Sequence, residues 1–301
     1  MTKPLNVAIF GLGSMGYGMA QSLLRAGHRT FGYDVNADAV ARFTAEGGAK
    51  DTVGDIAGTL DAVVVVVLNA AQAETVLFGL DGIVPLLKPG AVVMCCPTVQ
   101  PEFARRMESR CRETGVHYLD APISGGSAKA AQGKLSVMAA GTPQAFAAAR
   151  PVLDACAATV FELGDHAGPG SAMKAVNQLL AGVHIAAMAE AMTFGMTQGI
   201  DPKTFIEVIP QCAGTSWMLE NRAPHIAAGD YTPHSAVDIW PKDLGIVLDI
   251  ARGARFGAPI AAAALQQYLA ASGMGLGRED DAAVAKVYAR NAGLTLPDMD
   301  T

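Results

Sequence analysis

The chain is short of charge and of aromatic rings. Charged residues fill 17% of its 301 positions and aromatic ones 6%, against 51% hydrophobic. That balance excludes a disordered chain. It carries no run of Lys or Arg, and the net charge is -6, which argues against nucleic acid or an anionic membrane as a partner. A small anionic substrate is still admissible, because local positive groups would hold it. Cysteine is scarce: Cys95, Cys96, Cys111, Cys156 and Cys212 show no metal-ligand spacing. An odd number of them reads as reduced thiols of a cytoplasmic protein, with Cys95 and Cys96 as buried small hydrophobes. No set of His, Cys, Asp and Glu has the spacing of a metal site, and the six histidines form no Ser-His-Asp pattern. No signal layout precedes the first strand pattern. The longest strongly apolar run, Ala62 to Leu68, is too short to span a bilayer.

What is present begins with Leu5 to Phe10, an apolar run of the buried parallel-strand type. Gly11-Leu12-Gly13-Ser14-Met15-Gly16 follows, then a helix pattern to Ala26 with Gly27 as its stop. The first glycine suits a tight turn, the second lets backbone approach a pyrophosphate, and the third lets helix pack closely on strand. Phosphate oxygens then meet free N–H groups at the positive end of the helix. A second strand, Thr30 to Tyr33, ends in Asp34, 18 positions after Gly16. A carboxylate there accepts hydrogen bonds from the adenosine ribose and repels a 2′-phosphate, so NAD is expected over NADP. The competing role for Asp34 is a plain N-cap of the helix from Ala37.

Strands and helices keep alternating. Ala62 to Leu68 ends at Asn69, and Ala91 to Cys96 ends at Pro97-Thr98. Pro101 to Thr114 is a helix, and Val116 to Leu119 runs into Asp120-Ala-Pro-Ile-Ser124-Gly125-Gly126. Leu135 to Ala140, a helix to about Ala157, and Thr159 to Leu163 complete the set. The pattern predicts an α/β, doubly wound, mainly parallel sheet whose ligands sit beyond the carboxyl ends of the strands. Asn69, Thr98 and Ser124-Gly125-Gly126 lie at such ends. Ser124 with two glycines supplies a hydroxyl and approachable N–H groups, a cradle for a carboxylate; a tight turn after Pro122 is the alternative.

Next comes a long linking helix, about 168–199, apolar nearly all round and so expected to be buried. Near its start Lys174, Asn177 and Gln178 share one face, being three and four positions apart. Lys174 is either the chemistry or a snorkelling surface residue. Beyond Gly199 only helices are expected: 202–209, 216–226, 237–252, 260–272 and 282–289. The domains are therefore 1–164, a dinucleotide-binding Rossmann domain, and 165–301, all-α, for cleft closure and dimerisation. Lys242-Asp243 reads as solvated surface or as site, and Glu279-Asp280-Asp281 as an acidic first turn favouring the helix dipole.

These motifs together resemble the β-hydroxyacid dehydrogenases, the 3-hydroxyisobutyrate dehydrogenase-like family. The likeness covers nearly the whole chain, through Gly11 to Gly16, Thr98 with Pro101, Asp120 to Gly126, Gly168 to Asn177, and Lys242-Asp243-Leu244. Residues 181–187, 216–222, 229–238 and 279–284 look like the L-threonate dehydrogenase branch, which oxidises a four-carbon sugar acid with NAD. Two positions depart from that pattern: Asn177, where the branch tends to carry His, and Cys96-Pro97-Thr98 in place of a commoner Ser-Thr pair. The resemblance implies a Rossmann domain, a linking helix and a helical domain that forms a homodimer or higher homo-oligomer. It implies Lys174 as the catalytic residue and Asn177 as a substrate contact. Ser124, Gly125 and Gly126 would hold the substrate carboxylate, while Thr98 and Lys242 lie beside the nicotinamide. Trp217, Asn221 and Asp238 are further candidates to line the cleft. The substrate is then a small anionic hydroxyacid, L-threonate first, with 3-hydroxyisobutyrate and tartronate semialdehyde as alternatives.

Two rivals differ in class. Decarboxylating 6-phosphogluconate chemistry needs basic phosphate ligands that this chain lacks, and a non-catalytic dinucleotide-binding module would not need Lys174 beside Asn177. As a base, Lys174 must leave its ordinary value near 10.4. Lowering it by about 2 to 3 units costs the charged form roughly 3 to 4 kcal/mol, and an alkaline rate limb near pH 8 to 9 is expected.

Overall fold

The structure, a computed structural model, describes residues 3–298; the outermost residues of the two expected domains, 1–2 and 299–301, lie outside it. The chain divides into two compact units, Met1–Lys174 and Ala175–Thr301, and the division falls inside the helix Pro169–Thr197.

The first unit holds five parallel strands, β1 (Asn6–Phe10), β2 (Arg29–Tyr33), β3 (Ala62–Val65), β4 (Val92–Cys95) and β5 (His117–Asp120), in the order β2-β1-β3-β4-β5. Period-2 geometry sends alternate side chains to opposite faces. Val7, Ile9, Val64, Val92 and Met94 pack with Met19 and Leu23 of the helix Gly16–Arg25. Ala8, Val63, Val65 and Val93 pack on the other side with Leu77, Phe103 and Met107. Burial on both faces is what the unbroken Val run of β3 requires.

The last strands do not extend this sheet. β6 (Ile123–Ser124), β7 (Leu135–Ala139) and β8 (Ala157–Glu162) form a second sheet in that order, with β6 antiparallel to β7 and β7 parallel to β8. Ala121 and Pro122 alone separate β5 from β6, and a parallel return needs a crossover of about a dozen residues. The chain therefore turns back instead of adding a sixth parallel strand. All five cysteines are free thiols, four of them buried and Cys212 exposed. Burial pushes the thiols of Cys95, Cys111 and Cys156 up to about 12 and raises that of Cys96 well above its ordinary value.

The second unit is helical, with Pro202–Val208, Trp217–Ala228, Ile239–Gly253, Pro259–Ala271 and Ala285–Ala292 following the long helix. Its core gathers Ile185, Met188, Met192, Trp240, Leu244 and Tyr268. Trp240 stacks on Tyr268 at 5.6 Å, and the Tyr268 hydroxyl donates to Gly182 O. A Cβ at Gly182 would lie 2.8 Å from the Trp240 ring, so this crossing needs glycine. The long helix is not buried all round: Val176, Leu180 and Phe194 are 55%, 49% and 65% exposed. One face meets the core, and its other apolar face lies open. By length and composition this helix could also cross a membrane, although its sequence holds no long uninterrupted apolar run. Ile185, Met188 and Met192 instead give it the place of a core helix.

Candidate active site

The glycine turn leaves β1 at Gly11, whose φ of +102° is the left-handed region that glycine tolerates. A Cβ there would come 2.4 Å from Val66 O, and one on Gly16 would come 1.9 Å from Gly11 O. Both positions thus exclude a side chain, whereas Gly13 faces open space. The helix starts at Gly16 with no side-chain cap from Met15, so its first amides remain available to an anion. Asp34 Oδ2 accepts from Leu12 N at 2.6 Å, and Oδ1 accepts from Asn36 N at 2.8 Å. The helix N-cap belongs to Asn36, whose Oδ1 accepts from Asp38 N and Ala39 N. Asp34 therefore ties the end of β2 to the turn, and its oxygens have further lone pairs to offer as an acceptor site. A cleft of about 510 Å³ opens along Gly13, Ser14, Asn36, Arg42 and Ser127. Open backbone, uncapped amides and a fixed carboxylate suit a dinucleotide. Asn69 caps the helix Ala70–Phe78 by accepting from Gln72 N. Thr98 is buried, three residues beyond the end of β4.

Asp120 closes β5 and is 1% exposed. Its Oδ2 accepts from Gly168 N and Ser171 N, both at 2.9 Å, and its Oδ1 accepts from Ser171 Oγ at 2.6 Å. Burial pushes this carboxyl above its ordinary value, although the Ser171 and Gly168 hydrogen bonds pull it back. The arrangement staples the amino end of the long helix to the sheet, where a negative charge suits the helix dipole. One turn later Lys174 is 9% exposed, and its Nζ donates to Ile123 O at 2.9 Å. The amine therefore does not snorkel: it is held one residue from Ser124. Gly125 and Gly126 follow at φ +135° and +77°, conformations that rule out most side chains and leave their backbone approachable.

In the second unit Asn177 Nδ2 donates to Gln178 Oε1 at 2.9 Å, and Gln178 Nε2 donates to Asp243 Oδ2 at 2.5 Å. Lys242 Nζ lies 2.7 Å from Asp243 Oδ1. Asp243 is 2% exposed, so the pair is an internal network and not a solvated surface. Glu279-Asp280-Asp281 opens a helical turn as expected, with Asp280 as its N-cap and Asp281 in its first turn, but the two aspartates are also buried and paired. Asp280 and Asp281 are fully buried. Arg222 Nε donates to Asp281 Oδ1 at 2.5 Å and Trp240 Nε1 to Oδ2 at 3.0 Å. Asp280 faces the His225 ring and accepts from His234 N and Ala282 N. Burial pushes Asp281 up despite Arg222; in Asp280 burial is outweighed by His225, the two amides and Arg222, which hold it down at about 2.

Sequence reasoning singled out Lys174, Asn177 and the turn, but not Asp120 or the Gln178–Asp243 bond, because each partner is more than forty residues away. Of the three cleft candidates, Trp217 is 55% exposed, Asn221 accepts from Arg222, and Asp238 accepts from Ser272 Oγ. Among the described residues no cluster of His, Cys, Asp and Glu could hold a metal ion.

Comparison with known proteins gives the same class of molecule. Residues 6–164 match the NAD binding domain of 6-phosphogluconate dehydrogenase, and residues 168–288 match the description NAD-binding of NADP-dependent 3-hydroxyisobutyrate dehydrogenase. The chain is 47% identical to L-threonate dehydrogenase of Cupriavidus necator, over 97% of this chain and 98% of that protein. It is 34% identical to 2-(hydroxymethyl)glutarate dehydrogenase of Eubacterium barkeri, over 98% and 99%. The crystal structure of a 3-hydroxyisobutyrate dehydrogenase from Salmonella typhimurium superposes with a TM-score of 0.89 at 48% identity, covering 94% of this chain and 99% of that one. The chain belongs to the 3-hydroxyisobutyrate dehydrogenase-like family of β-hydroxyacid dehydrogenases. It is an oxidoreductase of hydroxyacids that uses a nicotinamide dinucleotide.

Proposed function

We propose that the chain oxidises L-threonate at C2 to the 2-oxo acid with NAD, using Lys174 to handle the hydroxyl proton. The observation that carries the reading is the buried Lys174 amine held at Ile123 O, beside Ser124. In this reading Ser124 and the amides of Gly125 and Gly126 bind the substrate carboxylate, and Asn177 orients the hydroxyl without titrating. The turn from Gly11 through Leu12, Gly13, Ser14 and Met15 to Gly16, with Asp34, Asn69, Thr98 and Lys242, holds the dinucleotide. When bound, that group supplies the acceptor for the hydride leaving C2. The O–H bond breaks as C=O forms, and Lys174 takes the proton and returns it to water.

The substrate rests on the likeness to L-threonate dehydrogenases. The likeness to the Salmonella typhimurium structure favours 3-hydroxyisobutyrate as the second reading. A screen of C3 to C5 hydroxyacids with NAD, read as kcat/KM, separates them. L-threonate should lead; a larger value for 3-hydroxyisobutyrate would replace it. We also read the chain as a cytoplasmic homodimer or higher homo-oligomer, on the strength of its free thiols and the open apolar face at Val176, Leu180 and Phe194. Light scattering of the purified protein tests the assembly, and a monomer at micromolar concentration would remove it.

A further inference from the structure

The network at Asp243 has a direction. Lys242 Nζ at 2.7 Å compensates the charge of this buried carboxylate, and an ionised carboxylate can only accept. Gln178 must therefore turn its nitrogen toward Asp243, as it does. Its oxygen then faces Asn177 and, being an acceptor, requires the Asn177 nitrogen. The O and N ends of a carboxamide are nearly the same size, so packing alone would leave Asn177 free to flip. The charge two residues down the relay decides the matter. Oδ1 of Asn177 is left at the opposite end of its amide from the bonded hydrogen, and Nδ2 keeps a second hydrogen.

We infer that Asp243, acting through Gln178, makes Asn177 present one donor and one acceptor to the substrate, and so selects hydroxyacids carrying a second hydroxyl beside the reacting one. The donor meets the reacting oxygen, while Oδ1 accepts the hydrogen of the neighbouring hydroxyl. An acid with a methylene at that place leaves Oδ1 without its partner. Asp243 and Gln178 are positioning residues in this inference, acting through Asn177. The inference rests on the proposed role of Asn177 as a substrate contact and goes beyond it, by naming the feature of the substrate that is read.

The test is a ratio that general damage does not move: kcat/KM for L-threonate divided by kcat/KM for 2,4-dihydroxybutanoate, which lacks only the C3 hydroxyl. The wild-type protein should favour L-threonate by about a hundredfold, because a site built to bond a hydroxyl discriminates strongly against its absence. Asp243→Asn alone should bring the ratio below about tenfold, because an amide at 243 no longer fixes which end of Gln178 faces Asn177. The double variant Asp243→Asn with Gln178→Glu restores the polarity, with the introduced amide donating and the introduced carboxylate accepting. It should recover most of the discrimination, a coupling that independent damage cannot produce. Asn177→Ala should abolish the preference and serves if the relay variants fail to fold. A wild-type ratio below about threefold would overturn the inference while leaving the dehydrogenase reading intact. So would an Asp243→Asn protein that keeps the full ratio, a double variant no better than Asp243→Asn, or an Asn177→Ala protein that still discriminates. A screen that puts an acid with no hydroxyl beside the reacting one, such as 3-hydroxyisobutyrate, ahead of L-threonate would also overturn the inference while leaving the dehydrogenase reading intact. Turnover of no hydroxyacid at all would remove the substrate reading and the relay together.

Discussion

Lys174 Nζ donates to the carbonyl oxygen of Ile123 at 2.9 Å, which puts a buried amine next to the Ser124-Gly125-Gly126 turn. Two elements far apart in sequence are brought together by that bond. Its geometry is set from below by Asp120, three residues before Ile123, which grips the helix one turn before Lys174.

Replacing the amine should stop the chemistry and little else. Lys174→Ala is expected to lower kcat by roughly 10² to 10⁴, the usual contribution of a positioned acid or base, while NAD affinity by titration calorimetry stays within about twofold. Turnover near the wild-type value would exclude Lys174 from the proton step.

Removing the staple should act on stability and rate at once. Asp120→Ala leaves two buried N–H groups and a hydroxyl without their acceptor, at a cost of about 1–3 kcal/mol. The thermal midpoint should fall by several degrees, and kcat should fall with Lys174 still in place. Calorimetry and steady-state kinetics on the same sample check both; an unchanged midpoint would mean that the helix start is held by something else.

In the proposed function Asp34 sets cofactor choice. Asp34→Ala should lower kcat/KM for NAD by about 10- to 100-fold through loss of hydrogen bonds to a charged group. The value for NADP should fall less, because the repelling charge is gone. A wild-type preference for NADP would contradict the assignment.

Acid should loosen the helical unit through Asp280. Its carboxyl is held at about 2 in the folded protein, below the ordinary 3.9 of an unfolded chain. The folded state therefore gains stability from its ionisation above pH 4, and that gain disappears as pH falls from about 4 through about 2. Denaturant midpoints followed by circular dichroism should drop in this window, and Asp280→Asn should flatten that part of the drop.

The parallel sheet was legible because alternation of strand and helix leaves a periodic trace, and the glycine turn because Gly11 and Gly16 answer steric demands. That Lys174 and Asn177 lie one turn apart on one helix was legible from their spacing. The second sheet was not, since two residues between β5 and β6 decide it and propensity says nothing about them. Asp280 and Asp281 were legible as the acidic start of a helical turn, but not as buried, because Arg222 and Trp240 lie forty or more residues from Asp281. The openness of the long helix was missed for a related reason: composition records how apolar a surface is, not whether anything covers it.

The cysteines have a practical consequence. A thiol reacts as its thiolate, and four of the five sulfurs are shut inside with their ionisation driven far above neutral pH. Cys212 is thus the natural attachment point for a maleimide dye on the native chain, with no engineering of its sequence. A fluorophore placed there would report on the helical unit while the strands beneath the dinucleotide stay untouched.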